Sequence, residues 1–146
     1  MKALTIQQPW ATWVAIGAKR IETRSWRTSY RGPLAIHAAK GFPKSARELC
    51  RDNPFHAALH AAGWACKSYS GELPLGVVLA TCRLVACTLT SLAFEEQLST
   101  VERAFGDYSP GRYAWVLEDV KPLLTPISAK GSLGLWEWEP ASEVKG

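Results

Sequence analysis

Long apolar runs are missing from this 146-residue chain, and none approaches the ~20 residues that a bilayer-spanning helix needs. The first ten residues, Met1 to Trp10, lack the apolar core of a secretory signal, so the expected location is the cytoplasm. Cysteine is sparse: Cys50, Cys66, Cys82 and Cys87 form no Cys-x-x-Cys pair, and no histidine follows them at zinc-finger spacing. A disulfide framework and a structural zinc site are therefore not expected. The four read as reduced thiols, with Cys82 and Cys87 on a buried strand. Internal repeats and low-complexity tracts are absent as well.

Acidic residues are scarce in one part of the chain only. Through Arg51 there are ten Lys/Arg against two acids, Glu22 and Glu48, for a balance of +8. From Asp52 onward seven bases face eleven acids, a balance of −4. Such asymmetry suggests one basic surface on an otherwise ordinary globular protein, the electrostatic footprint of a polyanion partner. The competing reading is that the two parts interleave in space and the patch averages out.

What is present fits a single domain over residues 1–140 with a frayed tail at 141–146, long enough to bury roughly two thirds of its unfolded surface. Ala3 to Ile6 read as a first strand. Trp10 to Ile16 read as a short helix, with Pro9 suited to its first turn and Gly17 to its C-terminal cap. Trp10, Trp13, Val14 and Gly17 share one helical face, as expected of a helix that plugs a core. Pro33 to Ala39 make a largely buried strand, Lys44 to Asp52 a helix, and Pro54 opens another that Gly63 ends. Ser68 to Pro74 are turn-rich. Leu75 to Cys87 make a Val/Leu-rich strand, residues 95–105 a short helix, Tyr113 to Leu117 a strand, Pro122 to Pro126 an extended segment and Leu135 to Trp138 a last strand. About six strands with helices inserted early and mid-chain predict a β-rich α+β fold, for which a small barrel is a common solution.

Residues 19–26, Lys-Arg-Ile-Glu-Thr-Arg-Ser-Trp, are the most informative stretch. As a strand they would turn Lys19, Ile21, Thr23 and Ser25 one way and Arg20, Glu22, Arg24 and Trp26 the other. Neither face is a core face. Unpaired charges are costly to bury, so this strand is expected to line a wet cleft or an exposed platform. A solvated strand with cross-strand ion pairs is the plainer alternative.

Gln8-Pro9-Trp10, Gly17-x-Lys19-x-x-Glu22-x-Arg24-x-Trp26, Arg31-Gly32 and Ile36-His37-Ala38 together resemble the ASCH domain family. The Gly76-Val-Val-Leu strand, Tyr113-Ala-Trp115 and Lys130-Gly131-x-x-Gly134-x-Trp136 fit the same pattern, so the resemblance covers nearly the whole chain. It implies a PUA-like fold: a small β-barrel with flanking helices and a cleft beside the barrel. It also implies an association with RNA or other nucleic acid, although some relatives are hydrolases, namely N4-acylcytidine amidohydrolases and a ribonuclease.

Lys19, Arg24 and Trp26 suit such a ligand, since cations bond phosphate and an exposed indole stacks an unpaired base. Arg20, Arg27 and Arg31 would extend the charged rim, and Lys40, Lys44 and Lys130 could complete it; for the loop lysines solvation is the equal alternative. Trp26 could instead be a core aromatic, and Lys19 and Arg24 could simply pair with Glu22. A carboxylate repels phosphate, so Glu22 makes better sense orienting an arginine, accepting from a base edge or acting as a general acid/base. The amidohydrolase relatives use a lysine, a threonine three residues later and a glutamate from a downstream strand. Here Glu22 stands three residues after Lys19, and Val77 to Val85 contain no acid, so two of three positions depart from that pattern.

His37 lies in an apolar strand and reads as a hydrogen-bonded structural histidine before a general base. His56 and His60 are spaced i,i+4 on a helix but lack the glutamate and third ligand of a metal site. Tyr113 and Trp115 read as core. The expectation is a binding module for RNA, other nucleic acid or a nucleotide-like small molecule, without metal or organic cofactor and without membrane contact. The alternatives are a hydrolase using Lys19 and Glu22, and a protein-interaction module with a vestigial cleft.

Overall fold

A computed structural model describes residues 1–63 and 73–140. Cys66, most of the turn-rich stretch from Ser68 and the expected tail at 141–146 lie outside the described residues. The elements run β1 (Lys2–Ile6), α1 (Trp10–Ala15), β2 (Ile21–Arg24), β3 (Gly32–Ala38), α2 (Lys44–Leu49), α3 (Phe55–Ala61), β4 (Val77–Leu89), α4 (Leu92–Glu96), α5 (Thr100–Ala104), β5 (Tyr113–Ser128) and β6 (Leu135–Glu137). The strands form one sheet in the order β2-β5-β4-β3-β1-β6, with β1 parallel to β3 and the other pairs antiparallel.

The backbone of this sheet is the long β4–β5 ribbon. Its register slips at Val78/Ala80, Thr81/Arg83 and Leu84/Ala86, and Asp119 adopts a left-handed φ of 54° beside the second slip. Each bulge adds bend and twist, and the sheet curls into a half-barrel flanked by helices. The expected α+β barrel is thus realised in open form: β2 and β6 end the strand order and do not pair with each other.

Inside the curl sits α1, which packs against β1, β3, β4 and β5. Ala11, Thr12, Trp13, Val14 and Ala15 are all buried, because a helix apolar on every side needs cover on every side. Its first turn is capped by a residue that precedes it: Gln8 Oε1 accepts the Thr12 N–H at 3.0 Å while Gln8 Nε2 donates to Pro74 O at 2.9 Å. On one side α1 faces the sheet core of Leu4, Ile36, Leu84 and Trp115. On the other, Trp13 meets Phe55 and Phe105 at ring distances of 4.8 and 4.7 Å, gathering α2, α3 and the end of α5 into a second core.

Three expected boundaries differ. The charged strand is shorter, Ile21–Arg24, so Lys19 sits in the preceding turn and escapes strict alternation. The short helix expected within 95–105 is α5, and a second one, α4, starts before that window; each is opened by its own serine: Ser91 Oγ accepts from Phe94 N–H and Ser99 Oγ from Glu102 N–H. Tyr113–Leu117 and the extended segment after Pro122 are one continuous strand. Among the described residues the outer side of β5 has no strand partner beyond Val116, so Pro122 and Pro126 cost no ladder bond there.

Trp13 is fully buried at the centre of the second core, and its neighbour Trp10 packs against both cores. Trp13→Ala is expected to lower unfolding free energy by about 3–5 kcal/mol, read from urea denaturation. A loss below about 1 kcal/mol, the scale of a tolerated surface change, would show that Trp13 does not organise the second core.

Candidate functional site

The turn after α1 sets the position of Lys19. Gly17 adopts a φ of +80°, and Ala18 and Lys19 both donate their N–H to Trp13 O, at 2.9 and 3.0 Å. The Lys19 side chain therefore turns inward. Its Nζ donates to Phe105 O at 2.9 Å and stands 3.9 Å from Glu22 Oε1, with only 1% of the residue exposed. Burial holds its pKa below the ordinary value of 10.5, opposed by the carboxylates of Glu22 and Glu102 and assisted by the nearby Arg24.

Glu22 and Arg24 follow on β2. Glu22 Oε1 accepts the Thr23 N–H at 3.2 Å, and Oε2 lies 3.1 Å from Arg24 Nη2. The same Nη2 donates to Thr5 O at 2.7 Å, tying β2 to the end of β1. Arg24 Nε is enclosed and has no hydrogen-bond partner among the described residues. Trp26 is half-buried: it meets Trp115 edge-on at 4.7 Å, and its carbonyl accepts from Trp115 Nε1 at 3.4 Å. It packs on the core, as the plainer reading of this residue expected, and also lines the cleft.

These side chains share a cleft of about 780 Å³. Its walls come from the end of β1 (Thr5 to Gln7), Trp10 of α1, the segment Glu22–Trp26, Leu49 and Phe55 of α2 and α3, and the loop after α5. That loop supplies residues the sequence did not single out. Arg112 Nη2 donates to Thr23 O at 3.2 Å, and its Nε donates to Asp107 O at 3.1 Å. Hydrogen bonds from Ser109 hold the exposed Asp107 carboxyl below the usual carboxylate range. Behind the cleft, Glu102 Oε1 accepts the N–H groups of Arg20 and Ile21 at 3.0 and 2.9 Å, and Tyr108 Oη reaches it at 3.4 Å. Ser99-x-x-Glu102 marks a helix start. A carboxylate meeting a strand edge 81 residues away has no local signature.

Lys19, Glu22, Arg24 and Trp26 thus come together. Arg31, Lys40 and Lys130 lie outside the cleft lining. The Arg31 guanidinium closes its own loop on Thr28 O and Tyr30 O, while Lys40 lays its stem beside Gly76, 3.2 Å from where a Cβ there would sit. Lys130 is exposed and precedes Gly131, where a Cβ would stand 2.7 Å from Thr5 Oγ1 and 2.8 Å from His37 Cε1. Arg20 and Arg27 are exposed.

His37 is buried in a relay. Ala129 O can only accept, so Nε2 donates to it at 2.8 Å. Nδ1 then accepts from Thr5 Oγ1 at 3.1 Å, and that hydroxyl in turn accepts from Trp136 Nε1 at 3.1 Å. The histidine is structural, fixing Thr5 behind the Arg24 contact. His56 and His60 stack at 6.0 Å. Among the described residues no group of three His, Cys, Asp or Glu is placed to hold a metal ion. Cys50, Cys82 and Cys87 are free thiols, and burial pushes Cys50 up to about 11 and Cys82 up to about 12. Among the described residues no helix is long and apolar enough to cross a membrane.

Residues 4–127 match the family model of the ASCH domain. The chain is 27% identical over 134 residues to Activating signal cointegrator 1 of Mus musculus, and 26% identical over 136 residues to the Homo sapiens protein of that name. Both alignments cover 92% of this chain and 22% of the relative, so the chain spans about a fifth of the length of these curated relatives. Among solved structures, that of ASCH from Zymomonas mobilis aligns with a TM-score of 0.54 at 16% identity, covering 99% of this chain and 90% of the other. A single-residue variant of that protein gives 0.52 at 16% identity, covering 99% and 93%. At such identity the likeness is one of fold.

The buried ammonium has a signature in solution. With its native pKa below 10.5, Lys19 releases its proton at lower pH in the folded protein than in the unfolded chain. Between those two values the unfolded chain holds more protons, so the Lys19 contribution makes stability rise with pH. Lys19→Met removes that contribution. The difference in urea midpoint, wild type minus Lys19→Met, is expected to move in favour of wild type from about pH 7 to about pH 10. A flat or falling difference contradicts the burial of the ammonium.

Proposed function

The chain belongs to the ASCH domain family, and from that premise we propose that its cleft binds an unpaired nucleotide of a nucleic acid, RNA foremost. The observation that carries this reading is the Glu22 carboxylate, held in the cleft wall between Lys19 and Arg24 with Trp26 beside it. A carboxylate there is a poor phosphate receptor and a good acceptor for the N–H groups of a base edge. Half-buried Trp26 and Trp10 offer rings for stacking, the main source of affinity for unpaired bases. Phosphates fall to the cationic rim: Arg24 and Arg112, which line the cleft, and Arg27 just outside it. The cleft volume lies in the range of sites that enclose a small ligand, enough for one nucleotide rather than a duplex.

A hydrolytic role for Lys19 and Glu22 is the second reading. It is favoured by the lowered Lys19 pKa beside a cleft carboxylate, a pairing typical of catalytic sites. Against it, the Lys19 amine is enclosed and committed to Phe105 O, and the downstream strand β4 brings no acid to the cleft.

Fluorescence anisotropy with short labelled single-stranded RNA tests the primary reading. Binding is expected at low salt and is expected to weaken as salt rises. Trp26→Ala should weaken it by about 1–3 kcal/mol, roughly 5- to 150-fold, with the circular dichroism spectrum retained. No binding at low salt overturns the proposal.

A further inference from the structure

We propose that the cleft is selective for guanine among unpaired bases, with Glu22 as the specificity-determining residue; this rests on the reading of the cleft as a nucleotide site. The Glu22 carboxylate is pinned from three directions, by Lys19 Nζ at 3.9 Å, Arg24 Nη2 at 3.1 Å and its neighbour's N–H at 3.2 Å. Its oxygens cannot turn away, and an ionised carboxylate offers acceptor sites only. Among the described residues Oε1 takes one hydrogen bond and Oε2 faces one guanidinium nitrogen, which leaves acceptor capacity on both oxygens.

A base that reaches this group must present two donors side by side. On its Watson–Crick edge guanine does so through N1–H and the N2 amino group. Adenine and cytosine place a ring acceptor next to their amino group, and uracil flanks its single imino N–H with two carbonyls. Each of these would set a lone pair against a carboxylate oxygen in a partly desolvated wall, where an unmade hydrogen bond is heavily penalised. Arg24 completes the complementarity. Its Nη2 is committed to Thr5 O and Glu22, while the Nη1 N–H groups engage none of the described residues. The guanidinium stands next to the carboxylate and is about a quarter exposed, so it can donate to O6. Arg24 stands beside Oε2, and Oε1 is the oxygen on the Thr23 and Lys19 side, so the wall offers a donor followed by two acceptors. That order is the complement of O6, N1–H and N2–H.

The test uses the full chain and single-stranded uridine oligomers that differ only at one central base: G, A, C, U or inosine, which lacks the 2-amino group. The guanine oligomer is expected to bind about ten- to a hundredfold tighter than those with A, C or U, and inosine is expected to fall between. Glu22→Gln, which puts an amide donor in place of one acceptor, is expected to flatten the series. Equal affinity across the five oligomers overturns guanine selectivity while leaving nucleotide binding in place. A guanine preference that survives in Glu22→Gln overturns the assignment to Glu22. Absence of binding to every oligomer overturns both the selectivity and the reading beneath it. The wild-type series alone decides the first point, whether or not the variant folds.

Discussion

A single buried ammonium holds the cleft in shape. Lys19 is carried inward by the turn that ends α1, and its Nζ binds the carbonyl at the end of α5 while facing Glu22 on β2. Burying a charged amine is costly, and it persists only where carbonyls and carboxylates surround it. Here those partners come from segments more than 80 residues apart in sequence, so one side chain ties three elements together. The residue that looks most like a ligand contact is chiefly what orients the contact beside it.

The same economy governs the rest of β2. This strand ends the sheet, and an unpaired edge invites association with other strands. Its outward N–H groups are instead taken by carboxylates, that of Ile21 by Glu102 and that of Thr23 by Glu22, while the Thr23 carbonyl accepts from Arg112. The charges of the Lys19–Trp26 stretch therefore serve the backbone first. What faces the cleft is the remainder: the free acceptor sites of Glu22, part of the Arg24 guanidinium and the exposed side of Trp26. Those remaining groups are the ones that the proposed nucleotide reading uses.

Much of this was legible in the sequence. Period-2 and apolar patterns marked β1, β3 and the core of β4, Pro9 and Gly17 bracketed α1, and an oddly charged stretch pointed to a cleft. What was not legible depends on distance or on small deviations. The alternation rule misplaced Lys19 because the strand begins two residues later. The second helix, α4, follows from Ser91, whose capping signal was present but close to that of Ser99. The contributions of Glu102, Asp107 and Arg112 were invisible, because it is the long-range pairing of β2 with β5, Arg24 opposite Tyr113, that brings the segment before β5 to β2. Arg31 and Lys40 carried the right charge and were drawn elsewhere by local carbonyls and packing.

The most direct test follows the tryptophan indoles by ¹H–¹⁵N NMR while single-stranded RNA is added. Trp10 and Trp26 line the cleft, whereas Trp138 is buried with Ala3, Ala35 and Val78 away from it. With nucleotide binding in the cleft, the Trp26 and Trp10 cross-peaks are expected to shift progressively and saturate while that of Trp138 stays in place. Shifts at Trp138 without change at Trp26, or no shift at any indole, would contradict it.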